Sequence, residues 1–234
     1  MSVKKILLLG ATSAAVVGMT AAMAGGFTHE PADSSNYYVE GHAGYARQNY
    51  LDNQDWRLAS GMAGNNSNNN ASGGFSGGAD AGYNINHNYG VELGWFHLPT
   101  VNTMAAGVAA AYLKSTVWYL AGKYMVPAPW MQNTDWFFKL GVAYRKATLD
   151  AAAVAVAGGL GTANSSSKFV RPMFATGLDY SFSDMFSGVV QYALFLGANN
   201  SFHVTSAAAA AGGSALETVS ANVFTLGLAY KFTV

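Results

Sequence analysis

The stretch Phe224-Thr225-Leu226-Gly227-Leu228-Ala229-Tyr230-Lys231-Phe232 decides the fold. Read with a period of two, Phe224, Leu226, Leu228, Tyr230 and Phe232 share one face, and Thr225, Gly227, Ala229 and Lys231 share the other. The apolar face carries no charge. A soluble strand so greasy on its outside would self-associate through its edge, whereas hydrocarbon accepts such a surface. Thr225, Gly227, Tyr230 and Phe232 set a polar residue, a glycine, an aromatic and the alternate aromatic at the spacing of a strand that closes a transmembrane β-barrel.

Working back from that strand, the same alternation recurs and predicts eight strands. Tyr37, Val39, Gly41, Ala43 and Tyr45 oppose Tyr38, Glu40, His42, Gly44 and Ala46; Phe75, Ala79, Ala81, Tyr83 and Ile85 oppose Ser76, Gly78, Asp80, Gly82 and Asn84. Tyr89, Val91, Leu93 and Trp95 point outward with Glu92, Gly94 and Phe96 inward, and Trp118, Leu120, Gly122 and Tyr124 outward with Tyr119, Ala121 and Lys123 inward. Three further segments behave alike around Trp136–Arg145, Arg171–Phe182 and Phe186–Leu196. No charge falls on an outward face at membrane depth, where one costs about 2–4 kcal/mol. The fold class expected is all-β: a transmembrane, antiparallel, up-and-down barrel of eight strands.

Connection lengths alternate as such a barrel requires. Asn86 to Asn88, Pro127 to Asp135 and Ser183 to Met185 are short; 48–73, 98–114, 147–168 and 198–219 are long. Aromatics gather where the two interfaces should lie, Tyr37, Tyr83, Tyr89, Tyr124, Trp136, Tyr180, Phe182, Phe186, Tyr230 and Phe232 at one end and Tyr45, Phe75, Trp95, Trp118 and Tyr144 toward the other.

The N-terminus agrees. Lys4 and Lys5 precede an apolar run from Ile6 to Val17, and Ala22-Met23-Ala24 places small residues where a signal peptidase cuts, so residues 1–24 read as a signal peptide cleaved near Ala24. Residues 25–35 are then a periplasmic lead and 36–234 the barrel, with no further domain expected after it. The mature chain keeps 10 basic against 12 acidic side chains once Lys4 and Lys5 leave, a net charge of −2 with no basic stripe, so nucleic acid is not an expected partner. The absence of cysteine leaves hydrogen bonding and packing to hold the fold.

Ala81-Gly82-Tyr83-Asn84-Ile85-Asn86-His87-Asn88-Tyr89-Gly90-Val91-Glu92-Leu93-Gly94-Trp95 resembles the second hairpin of the OmpA-like eight-stranded outer-membrane barrels, and Leu226 to Phe232 resembles their closing strand. The resemblance covers 36–232. It implies residence in the outer membrane of a Gram-negative bacterium, contact with outer-membrane lipids and lipopolysaccharide, and recognition of Thr225, Gly227, Tyr230 and Phe232 by the barrel-assembly machinery. The family it points to contains structural proteins, adhesins, immune-evasion surface antigens and proteins proposed as narrow channels. The function expected here is that of a non-catalytic surface protein whose four exposed loops serve binding, adhesion or structure, with a host or neighbouring surface molecule as the partner of the loops. A narrow low-conductance channel for ions or small solutes is the alternative.

Eight strands enclose little more than their own side chains. Inward charges Glu40, Asp80, Glu92, Lys123, Lys139, Asp179 and Lys231 therefore read as a structural lumen network, because enclosed ions need partners. Strand order pairs Glu92 with Lys123, Lys139 with Asp179 and, through closure, Glu40 with Lys231; Arg145 and Arg171 are left to face water at the mouth. The loops divide into an Asn-rich tract, Gly64 to Ser72, and small-residue segments Ala105 to Ala111, Ala151 to Gly161 and Ala207 to Gly213, which extend the strands or form a cap. Ser201, His203 and Glu217 are the nearest approach to a lipid-modifying triad, a minor alternative because closeness in sequence does not establish the geometry a nucleophile and base require. The histidines are too scattered for a metal site, and no catalytic residue, metal or cofactor is expected.

Overall fold

The computed structural model describes residues 35–48, 73–105, 108–151, 164–202, 216–218 and 220–232. The stretch expected to be a signal peptide, most of the expected lead, the Asn-rich tract and much of the small-residue segments lie outside the described residues.

Eight antiparallel strands close into a barrel: β1 (Asn36–Gln48), β2 (Gly74–Asn84), β3 (Tyr89–Ala105), β4 (Val108–Pro127), β5 (Thr134–Ala151), β6 (Asn164–Ser181), β7 (Phe186–Phe195) and β10 (Ala221–Phe232). Two short strands, β8 (Ala198–Phe202) and β9 (Leu216–Thr218), pair with each other within the last long connection. Strand β10 closes the ring on β1 through Tyr38↔Lys231, Glu40↔Ala229, His42↔Gly227 and Gly44↔Thr225. No edge of the barrel is left open, which hydrocarbon requires of any sheet that spans it.

Burial follows the sequence alternation strand by strand. In β1 the residues Tyr37, Val39, Gly41, Ala43 and Tyr45 are exposed on the outside while Tyr38, Glu40, His42 and Ala46 are buried. Leu93, Leu120, Leu140, Val142 and Leu228 make up the exposed apolar belt. Rings continue from strand to strand at the end where β1 begins and β10 finishes: Tyr83 meets Tyr37 at 4.8 Å, Tyr37 meets Phe232 at 6.0 Å, Phe232 meets Tyr230 at 5.9 Å, and Tyr230 meets Phe186 at 5.1 Å.

The short turns at that end are held by their own polar side chains. Asn86 Oδ1 accepts from the backbone amides of Asn88 and Tyr89 at 2.9 and 2.8 Å, and Ser183 Oγ accepts from the amide of Phe186 at 3.0 Å. Asn133 takes φ of 57° between β4 and β5, a left-handed conformation that Asn tolerates better than most residues.

In two of the long connections the described residues follow the strand-extending reading. Strands β3 to β6 run for 17, 20, 18 and 18 residues against the 9–11 or so that span a bilayer, so much of 98–114 and the two ends of 147–168 are strand and not loop. Each continues past the apolar belt by pairing with its neighbour, as in Tyr112↔Asp150 and Asp150↔Asn164. The four strands form a wall on one side of the barrel mouth, whereas β1, β2, β7 and β10 stop at 13, 11, 10 and 12 residues.

Candidate functional site: the lumen and the outer rim

Glycines on inward positions admit the large side chains that fill the lumen. A Cβ on Gly82 would meet the Tyr38 ring, and one on Gly94 would meet both Asp80 and the Tyr119 ring. Around these, the interior is layered. Met125, Phe137, Val189 and Ala229 form a small apolar floor; a charged layer follows; and Phe96, Tyr119 and Phe195 close over it with centroids 5.8–6.2 Å apart, among Leu98, Val117, Met173 and Val223.

Glu92 is the centre of the charged layer. Its Oε1 accepts from the Tyr119 hydroxyl at 2.5 Å and faces Lys139 Nζ at 2.6 Å, while Oε2 accepts from the Tyr38 hydroxyl at 2.5 Å. Lys139 also donates to Gln191 Oε1 at 2.5 Å and lies 3.8 Å from Asp80 Oδ2. Asp179 lies between two ammoniums, Lys231 at 3.4 Å and Lys123 at 3.8 Å, and Lys231 donates to Ser181 Oγ at 3.1 Å. Lys123 and Lys139 lie over the Phe137 ring at 5.0 and 4.9 Å, and Lys123 over Tyr38 at 4.7 Å.

All seven predicted lumen charges point inward, and all but Lys231 are buried. Their pairing differs from that suggested by strand order. The ion pairs are Lys139 with Glu92 and Asp80, Lys123 with Asp179, and Lys231 with Asp179; Glu92–Lys123, Lys139–Asp179 and Glu40–Lys231 are not formed. The register explains this. Glu40 lies directly opposite Asp80, and Lys123 directly opposite Lys139, so nearest neighbours have like charge and the lysines find their carboxylates on strands that are not adjacent to their own.

His42, which the sequence leaves isolated, belongs to this layer. Its Nε2 is 2.6 Å from Asp80 Oδ2 and 3.3 Å from Glu40 Oε1, its Nδ1 is 3.4 Å from Thr225 Oγ1, and its ring lies 5.3 Å from that of Phe96. Glu40, His42 and Asp80 thereby bring one ligand atom each within 4.8 Å of one another. Lys139 already supplies a positive charge beside them.

Arg145 corrects another expectation. It is buried above the aromatic layer, not at a watery mouth, and donates to Gln48 Oε1 at 2.5 Å and Ser115 Oγ at 3.2 Å. Gln48 in turn donates to the carbonyl of Pro99 at 2.6 Å. Arg171 is exposed. Tyr38, Tyr119 and Gln191 are partners that sequence alternation places inside without showing what they hold. Ser201 and Glu217 fall on β8 and β9, and His203 lies outside the described residues.

Residues 12–232 match the family model described as outer membrane protein beta-barrel domain. No curated protein matches the sequence. Among solved structures, Neisserial surface protein A is similar at 16% identity with a TM-score of 0.53, covering 85% of this chain and 99% of that one. The outer membrane protein OprG from Pseudomonas aeruginosa is 16% identical with a TM-score of 0.51, over 86% and 98% of the two chains. The outer membrane protein AlkL in lipid bilayers is 11% identical with a TM-score of 0.53, over 90% and 97%. At these identities the likeness is one of fold.

Proposed function

The chain belongs to the outer membrane protein beta-barrel domain family, and from that premise we propose that it is a non-catalytic surface protein that works through what stands above the membrane. The observation that carries this reading is the filled lumen. The charged layer is enclosed between Phe137 with Met125 below and Phe96, Tyr119 and Phe195 above, with Arg145, Gln48 and Ser115 beyond, so the interior is built as a core. Binding then falls to the wall of β3 to β6 and to the segments it supports. A partner is a host or neighbouring surface molecule, the signal peptide ends near Ala24, and assembly is directed by Thr225, Gly227, Tyr230 and Phe232.

The test is a set of chains shortened in 49–72, 101–110, 152–163 or 203–215, refolded in lipid and checked by the heat-dependent gel shift of folded barrels. Binding to whole cells or to neighbouring surface components is expected to fall while the barrel stays folded. Undiminished binding by the chain with all four segments shortened sinks the reading. A narrow channel ranks second, since the buried charges lie in the path an ion would take. Steady single-channel openings abolished by Glu92→Gln or Lys123→Met would promote it.

A further inference from the structure

We infer that Lys114, Lys146 and Lys168 form a binding site on the outside of the barrel for a phosphorylated lipid headgroup of the outer leaflet. The inference rests on the membrane placement just described and adds a site to it. The three lysines come from consecutive strands β4, β5 and β6, and all are exposed on the outer wall. Lys146 lies directly opposite Lys168, and Lys114 is diagonal to Lys146 through the pairs Lys114↔Thr148 and Thr116↔Lys146. Like charges facing each other across a strand pair are unfavourable. Among the described side chains no carboxylate lies within 4 Å of any of the three, so their shared positive field is open to an external anion. In register Asp150 is four residues beyond Lys146 and, like Lys146, two residues from Lys114's partner Thr148, so three lysines against this one carboxylate leave the row with an excess of positive charge.

Their height identifies the anion. Lys114 is 13 residues from Pro127, Lys146 is 12 from Thr134, and Lys168 is 13 from Ser181, counted from the ends of the strands at the short turns. At about 3.3 Å per residue and a tilt of roughly 40°, that places all three about 30 Å above those turns, just past an apolar band about 25 Å tall. Beneath them runs the row Trp95↔Trp118↔Tyr144↔Val170, two residues down from Lys146 and Lys168 and four down from Lys114, in which Trp118, Tyr144 and Val170 are exposed toward hydrocarbon and its border. Trp95 and Trp118 are in contact at 6.4 Å. An acyl chain lying against that row brings its headgroup to the lysines, and His97 and Thr116 continue the polar row on β3 and β4 through His97↔Thr116. The ligand is thus an amphiphile with apolar tails and a phosphate at the sugar or glycerol end, with the phosphate held by ammonium groups.

The full chain in phosphatidylcholine nanodiscs, given labelled lipid A bearing both phosphates, is expected to retain it. The variant Lys114→Gln/Lys146→Gln/Lys168→Gln should bind on the order of 100-fold more weakly at low ionic strength, as should the wild type offered lipid A stripped of its phosphates. Replacing all three by Arg should preserve retention. The gel shift shows that each variant is folded. Equal retention by the triple Gln variant, or equal retention of the dephosphorylated lipid, overturns the site; displacement by inorganic phosphate at the same concentration as the lipid overturns its assignment to a lipid. Shortened loops leave this result unchanged, so it stands or falls apart from the loop-mediated function.

Discussion

Glu92 shows what single residues do in this barrel. One carboxylate takes two phenol hydroxyls and an ammonium, at 2.5, 2.5 and 2.6 Å, where water is replaced by side chains on all sides. Removing one partner from such a set leaves the other charge buried, at a typical cost of about 3–5 kcal/mol. Glu92→Gln is therefore expected to lower the unfolding free energy of the lipid-refolded protein, read by urea titration, by that order. The double variant Glu92→Gln/Lys139→Met should lose less than the two single losses together, because the orphaned ammonium is gone. Gly94 is a second such position: Gly94→Val forces a side chain into Tyr119 and Asp80, and a loss of about 1–3 kcal/mol in the same titration is expected.

At the scale of elements, one strand serves two environments along its length. Leu120 on β4 is exposed within the apolar belt, while Ser166 on β6 is exposed on the part of the wall that rises above it. Leu120→Arg should destabilise the folded barrel by about 2–4 kcal/mol, whereas Ser166→Arg should stay within about 0.5 kcal/mol. Equal losses from the two would contradict the placement of the membrane border between them. The wall itself needs no lipid, since each of its strands satisfies its backbone by pairing with the next.

For the whole molecule the question is what passes through it. The layers of Phe137, Glu92 with its partners, and Phe96 with Tyr119 and Phe195 occupy successive heights in one lumen. Planar bilayers carrying the protein are therefore expected to show no steady conductance in excess of lipid alone. The double variant Phe96→Ala/Phe195→Ala, which removes two of the three rings above the charges, should raise the frequency of transient openings. Stable openings by the unmodified protein would show that the rings move aside.

Much of this was legible in the residues themselves. Alternation in Trp136 to Tyr144 or Leu226 to Phe232 assigns sidedness because hydrocarbon excludes charge and the pleat has a period of two, both local facts. The inward position of Glu40, Asp80, Glu92, Lys123, Lys139 and Asp179 follows from the same rule. Their partners do not. Strand order suggested neighbours, but the register places Glu40 against Asp80 and Lys123 against Lys139, and the chain therefore pairs charges across a closed ring. The upward run of β3 to β6 was one of two readings the residues left open for a similar reason: Val108 to Ala111 has no alternation to read, and only its pairing makes it strand. Sequence alone determined which residues meet lipid, because that depends on one residue and its parity. Tertiary structure decided which charges meet one another and which lysines share a height, because those depend on shear, tilt and closure, which no single strand contains.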